Sequence, residues 1–378
     1  MIITRYTRGL LAGAMLLGMA GQALAGNSAP QLRLNSAGSM AVAITPTADL
    51  PPPPPPPSAG EITISGFVQS QADVQYDSDT ASGLSMTNLE WGTTGHVNID
   101  ARHGPVKAHL GVRATFWAPG NATLVMRRAY FTWSPTDSFL IRVGHTDSID
   151  TLMNVRSAFG NRVPYGPDTL DAQATRLVNQ IMLQYGMGPV KVGVGVQQST
   201  AGLITPDVAG FVRADFDRFS LMIGARGGFS PSLPGIVYGV AAGAKVNFGP
   251  AYIKVAGAYS RGLAQEFITS NPHAPGSLAP GMPGVHYGLE GDDTAWGVNG
   301  ELGGKLGRLH VAVMGGYYND MGTGANVNWG WNAGAQAVYG LTNALKIGVR
   351  GTYARDTHVT SGNVMTTIAG GLFLRATF

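Results

Sequence analysis

The sequence predicts an all-β fold, a transmembrane antiparallel β-barrel of about sixteen strands, and three observations predict it. Runs of ten or so residues alternate apolar and polar side chains through most of the chain, and a period of two is that of a strand. The connections between runs alternate between tight turns and longer loops, as in a barrel with short turns on one membrane face and long loops on the other. The third observation is composition: the 378 residues are 12% charged, with 54 Gly and no Cys, where a soluble domain carries about 25% charge. After the first thirty residues no apolar run reaches the roughly 18 residues of a spanning helix. Alternation lets a barrel face lipid without any window looking strongly hydrophobic.

The chain opens on a secretory signal, residues 1–25. Arg5 and Arg8 form its positive region, Leu10–Met19 its apolar core, and Ala23-Leu24-Ala25 an A-x-A site with cleavage before Gly26, so this segment stands outside the fold. Its removal takes two charges from a formal +3, which leaves no case for a nucleic-acid partner. Lack of Cys suits an exported protein without disulfides or thiolate metal sites. Residues 26–60 read as a linker ending in seven prolines, Pro51–Pro57, a polyproline II rod of about 22 Å at roughly 3.1 Å per residue. The expectation is a periplasmic tether, with a cell-wall partner as its alternative use.

Residues 61–378 hold the barrel. Its first eight runs are Ile62–Tyr76, Met86–Arg102, Val106–Trp117, Leu124–Trp133, Ser138–His145, Arg176–Tyr185, Val190–Gln198 and Val208–Asp217. The remaining eight are Phe219–Phe229, Ile236–Phe248, Ala251–Arg261, Thr294–Leu302, Arg308–Tyr318, Asn328–Tyr339, Ala344–Arg355 and Val364–Phe378. Alternation gives each run two faces: Ala129, Phe131 and Trp133 oppose Arg128, Tyr130 and Thr132, and Phe139, Ile141 and Val143 oppose Leu140, Arg142 and Gly144. The apolar face meets lipid and the arginine face meets water inside the barrel. Tight turns such as His103-Gly104-Pro105, Gly186–Pro189, Gly249-Pro250 and Gly303 to Gly307 fall at every second connection, between loops such as Asp77–Ser85, Ser199–Asp207 and Gly262–Asp293. A soluble sandwich has no reason to obey that parity. Outward aromatics sit near strand ends, Trp133 and Tyr185 toward the short turns and Tyr259, Trp329, Trp331 and Tyr353 toward the loops, where interfacial girdles form.

The segment Arg127-Arg128-Ala129-Tyr130-Phe131-Thr132-Trp133, then Ile141-Arg142-Val143-Gly144, and Arg176–Tyr185 after a long loop, resembles the corresponding strands of general Gram-negative outer-membrane porins. The terminal Phe378 on an alternating last strand resembles the signal that such barrels present to their assembly machinery. The resemblance implies a sixteen-stranded barrel, a homotrimer, and a third external loop folded inward opposite a ladder of basic wall residues. Two features depart from it: an extension of about 35 residues precedes the first strand, and the acidic motif common in the constriction loop has no clear counterpart.

On this reading Arg113, Arg128, Arg142 and Arg176 form the basic wall of a constriction, and Asp147, Asp150, Asp168 and Asp171 face them from the loop at about Thr146–Thr175. Such a transverse field orients dipolar solutes and filters them by size and sign. Some arginines can instead pair with loop carboxylates and hold the loop down. Further lumen bases are Lys107, Arg213, Arg226, Lys254, Lys346, Arg350 and Arg375, against Asp73, Glu90, Asp100, Asp215 and Glu301. Catalysis finds little support: the eight His lack the i, i+4 spacing of a helical zinc site and no G-x-S-x-G occurs. No cofactor and no metal site are expected. The expected function is passive diffusion of ions and small hydrophilic solutes across an outer membrane, amid lipid and lipopolysaccharide. Alternatives are a substrate-selective channel and a barrel that anchors the membrane to the cell wall.

Overall fold

The computed structural model describes residues 60–80, 82–117, 121–151, 177–198, 206–229, 236–261, 294–321, 328–358 and 362–378. The chain divides into Met1–Gly60 and Glu61–Phe378. Apart from Gly60, the expected signal and linker lie outside the described residues. The second unit holds β1 (Glu61–Asp79), β2 (Leu84–His103), β3 (Val106–Trp117), β4 (Asn121–Trp133), β5 (Phe139–Asp147), β6 (Leu177–Met187), β7 (Val190–Gln197) and β8 (Asp207–Asp215). It continues with β9 (Phe219–Phe229), β10 (Ile236–Phe248), β11 (Ala251–Arg261), β12 (Thr294–Leu306), β13 (Leu309–Met321), β14 (Asn328–Gly340), β15 (Leu345–His358) and β16 (Val364–Thr377). Each strand pairs antiparallel with its neighbours in chain order, and β1 pairs with β16, so the sheet is a closed barrel. Each of the sixteen expected runs is one of these strands.

The β1–β16 seam runs from Phe67 opposite Thr377 to Asp79 opposite Met365, and one further residue pair completes it. Gly66 N–H donates to the Phe378 carbonyl at 3.0 Å and Phe378 N–H donates to the Gly66 carbonyl at 3.1 Å. A Cβ at Gly66 would lie 2.7 Å from the Phe378 ring and 2.2 Å from the His96 carbonyl oxygen. The terminal aromatic thus covers a bare patch of backbone on the outer face.

Alternation separates the two faces as expected. On β6, Ile181, Leu183 and Tyr185 are exposed outward, while Val178, Gln180 and Met182 are buried inward. Toward the long-loop rim the outer face carries contacting rings: Tyr238–Tyr259 with centroids 6.2 Å apart, Trp296–Tyr317 at 5.5 Å, Tyr317–Trp329 at 6.2 Å and Trp331–Tyr353 at 4.8 Å. Amphipathic rings at one height form the girdle expected at a membrane interface.

Several strands run further than their apolar alternation. β1 continues to Asp79 and β2 starts at Leu84 because polar side chains take over the pairing. Gln75 donates to Asp77 at 2.8 Å, the Thr367 hydroxyl donates to Asp77 at 2.5 Å, and Thr80 N–H reaches the Val364 carbonyl at 3.0 Å. The expected Gly303–Gly307 connection shrinks to Gly307-Arg308, since β12 pairs with β13 as far as Leu306 opposite Leu309. Asp147, expected in the loop, is the last residue of β5.

Two irregularities reshape the wall at β4. The β3–β4 register shifts between Gly111 and Val112, leaving Arg127 as the extra residue, and such a bulge re-aims the side chains beside it. Gly144 on β5 has φ of 129°. A Cβ there would lie 2.4 Å from the Ala129 carbonyl oxygen and 2.7 Å from Tyr130 Cα, so β4 and β5 approach as only glycine allows. Gly144→Ala should destabilise the barrel by about 1–3 kcal/mol. Urea unfolding of the protein refolded into lipid vesicles measures this, and an unchanged midpoint would contradict the close approach.

Candidate functional site

Inside the barrel the chain leaving β5 turns onto the wall. Ser148, Ile149, Asp150 and Thr151 are all buried, and the turn closes with Thr151 N–H donating to the Ser148 carbonyl at 3.1 Å. Gln180 of β6 donates to the Asp147 carbonyl at 2.6 Å. Gln197 of β7 donates to the Ser148 hydroxyl at 2.8 Å and accepts from Ile149 N–H at 3.0 Å. Ile149 packs on Met182 and Ala209, flanked by Leu140 and Phe211. Glycines make room: a Cβ on Gly224 of β9 would lie 2.2 Å from the Asp150 carbonyl oxygen, and one on Gly195 of β7 would lie 2.9 Å from Ile149 Cδ1. The turn therefore lies along the inner surface of β6 to β9.

Ion pairs hold both ends of this turn. Arg128 of β4 meets Asp147 at 2.6 Å. Asp150 accepts from the Ser148 hydroxyl and lies 3.8 Å from the Arg226 guanidinium, which is also 3.9 Å from Asp207. Arg226, Asp150 and Asp207 are fully or almost fully buried, so each charge depends on its opposite.

The structure brings Arg128 into an ion pair with Asp147, the alternative in which a wall arginine holds the loop down, while Asp150 goes to Arg226 of β9. Arg142 stands over the Tyr130 ring, 5.3 Å from its centroid, and Arg113 lies opposite His96 in the β2–β3 register. Arg176, Asp168 and Asp171 lie outside the described residues. Sequence reading missed Asp207, which it assigns to a loop, and the glutamines Gln180 and Gln197. A polar residue at a lumen position next to the loop's anchoring strand is the signal that would have found them.

Charge is also sorted along the barrel axis. Within about four residues of a short turn, the lumen face carries Lys107, Lys191, Arg213, Lys245 and Lys254, and further round Lys305, Lys346 and Arg375. Arg213 pairs with Asp215 at 2.5 Å and Lys254 with Glu301 at 2.8 Å. Lys254 and Lys245 both stand over the Tyr252 ring, at 4.6 and 5.5 Å, and the Tyr252 hydroxyl donates to Glu301 at 2.8 Å. Toward the long-loop rim the lumen carries Asp73, Asp77, Asp147, Asp150 and Asp207. Asp73 is paired with Arg350 at 2.7 Å. The short-turn mouth is thus basic on balance, its lysines and arginines outnumbering Asp100, Asp215 and Glu301 among the described residues, and further carboxylates sit in the other half.

Replacing Arg226 by Met should cost about 3–5 kcal/mol, since it removes the cation that two buried carboxylates face. In a double-mutant cycle Arg128→Ala and Asp147→Ala should couple by about 0.5–3 kcal/mol. Both are read from urea unfolding; additive losses in the cycle would mean that the Arg128–Asp147 pair does not hold the turn.

No protein-family model and no characterised protein sequence matches the chain. Solved structures do match. The outer membrane channel DcaP of Acinetobacter baumannii aligns with a TM-score of 0.61 at 17% identity, over 85% of this chain and 98% of that one. OmpF of Salmonella typhi, in complex with daunomycin, aligns at 0.55 and 10% identity over 84% and 97%. OmpT of Vibrio cholerae lacking loop L8, an outer membrane protein, aligns at 0.54 and 12% over 84% and 100%. Across nearly its whole barrel, the chain has the fold of Gram-negative outer-membrane porins.

Proposed function

We propose that this protein is a porin of a Gram-negative outer membrane, through which ions and small hydrophilic solutes diffuse passively. The observation that carries the reading is the inversion of a soluble protein. The outer face is apolar, with exposed residues such as Leu124, Phe131, Ile181 and Val194, while arginines, lysines and carboxylates face inward. Ionised groups concentrated on an inner wall require water there. The fold shared with outer-membrane channels supports the location.

In this reading Arg113, Arg128 and Arg142, with Arg176, form the basic wall at the narrowest part. Asp147 and Asp150 anchor the loop that narrows the lumen, and Asp168 and Asp171 belong to the same loop. No catalytic step is part of this function. Phe378 serves as the assembly signal, lipopolysaccharide and lipid surround the girdles, and the protein works as a homotrimer. The signal peptide is cleaved before Gly26 and the Pro-rich linker tethers on the periplasmic side.

The basic short-turn mouth favours a second reading, a channel selective for anionic solutes. At physiological salt a charge acts over about 8 Å, so a ring of lysines at a mouth biases entry there. Planar-bilayer recordings under a KCl gradient should show a reversal potential on the anion side. Changing Arg113, Arg128 and Arg142 to Ala should move it toward cations. Changing Lys191, Lys245 and Lys305 to Gln should mainly reduce the asymmetry of current between the two voltage signs. The absence of openings in the unaltered protein would defeat the porin reading. Indifference to the lysine changes would defeat the anion-selective one.

A further inference from the structure

We propose that His96, His109 and Asn98 form a binding site for a borderline divalent transition metal, such as zinc, copper or nickel, on the lumen wall at β2 and β3. In the β2–β3 register Asn98 faces Gly111, Asp100 faces His109 and His96 faces Arg113, so all these side chains share the inner face. Gly111 leaves a notch in the middle of them. A Cβ there would lie 3.2 Å from Asn98 Oδ1, 3.3 Å from His96 Nε2 and 3.4 Å from His109 Nε2. Three polar atoms therefore converge on one point. None of the three has a hydrogen-bond partner, and all three are shut off from solvent.

Ring protonation turns His109 into a ligand. His109 Nδ1 lies 2.7 Å from Asp100 Oδ1, which places the proton on Nδ1 and leaves the Nε2 lone pair aimed at the notch. A carboxylate behind an imidazole orients a metal ligand in this way and raises its basicity. The rings are also braced: His109 stacks on Tyr130 with centroids 4.9 Å apart, and His96 meets Phe67 edge-on at 5.7 Å. Two imidazole nitrogens and an amide oxygen, all buried and turned toward one point, suit a small cation with bonds of about 2.0–2.2 Å. Imidazole selects zinc, copper and nickel over calcium and magnesium.

The charges around the notch are of both signs: Arg128, opposite Gly111 on β4, is paired with Asp147, Asp100 stands behind His109, and Arg113 and Arg127 also lie near His96. Sequence spacing hides the site, because the two histidines lie diagonally across neighbouring strands and follow no helical or short-range pattern.

Isothermal titration of the chelator-washed, detergent-purified protein with Zn²⁺ tests the site. One ion per chain is expected. His96→Gln or His109→Gln should weaken binding at least tenfold, and Asp100→Asn about tenfold. Gly111→Ala should also weaken it at least tenfold while removing no ligand, because the methyl group fills the notch. These variants keep a polar lumen and should retain the heat-modifiable migration of a folded barrel in gel electrophoresis. No Zn²⁺ uptake by the unaltered protein, or unchanged affinity in the folded His96→Gln, His109→Gln double variant, would overturn the proposal.

Discussion

Backbone hydrogen bonds that find no water to replace them are the constraint on which the rest of this structure depends. A strand edge open to hydrocarbon would leave a row of N–H and C=O groups unsatisfied at a cost of several kcal/mol each. The only relief for a sheet is to close, and here closure is completed by the last residue of the chain. The two bonds between Gly66 and Phe378 finish the β1–β16 seam. Consecutive antiparallel strands make connections alternate between two rims, and an even number of them is what lets the seam close antiparallel.

Closure also divides side chains into two populations with opposite solvents. The outer set must be apolar, so nearly every ionised group of the strands is driven to the lumen. There charges need partners or water. The inward turn after β5 meets both needs, its carboxylates pairing with Arg128 and Arg226 and its backbone being held by Gln180 and Gln197. Small residues pay for this intrusion, since Gly195 and Gly224 leave the space that the turn occupies. Many of the other bases, among them Lys107, Lys191, Lys245, Lys305 and Lys346, lie near the short-turn mouth, while Arg113 and Arg350 stand further along the wall.

What could be read from the sequence was what a period of two encodes. Alternation in runs such as Arg176–Tyr185 placed the strands, their facing and the rims. It failed where polar side chains continue a strand, as at Asp77 bonded to Thr367, because alternation is visible only while one face stays apolar. Register was equally hidden. The bulge at Arg127 and the positive φ of Gly144 leave no periodic trace, yet they set where Arg128 and Arg142 stand. The Asp150–Arg226 pair joins β9 to a turn from β5, a contact created by the inward fold of the chain and by nothing local. For Arg113 and Arg128 the facing was legible, while their neighbours His96 and Asp147 required the cross-strand geometry.

The central claim is that a continuous, water-filled path runs through the closed barrel. Osmotic swelling of liposomes carrying the full-length mature protein, measured with uncharged sugars of increasing size, tests it most directly. The account predicts swelling that proceeds without an energy source, does not saturate with solute concentration and slows steeply as the sugar grows. Liposomes that hold a correctly folded barrel yet do not swell with the smallest sugar would contradict it.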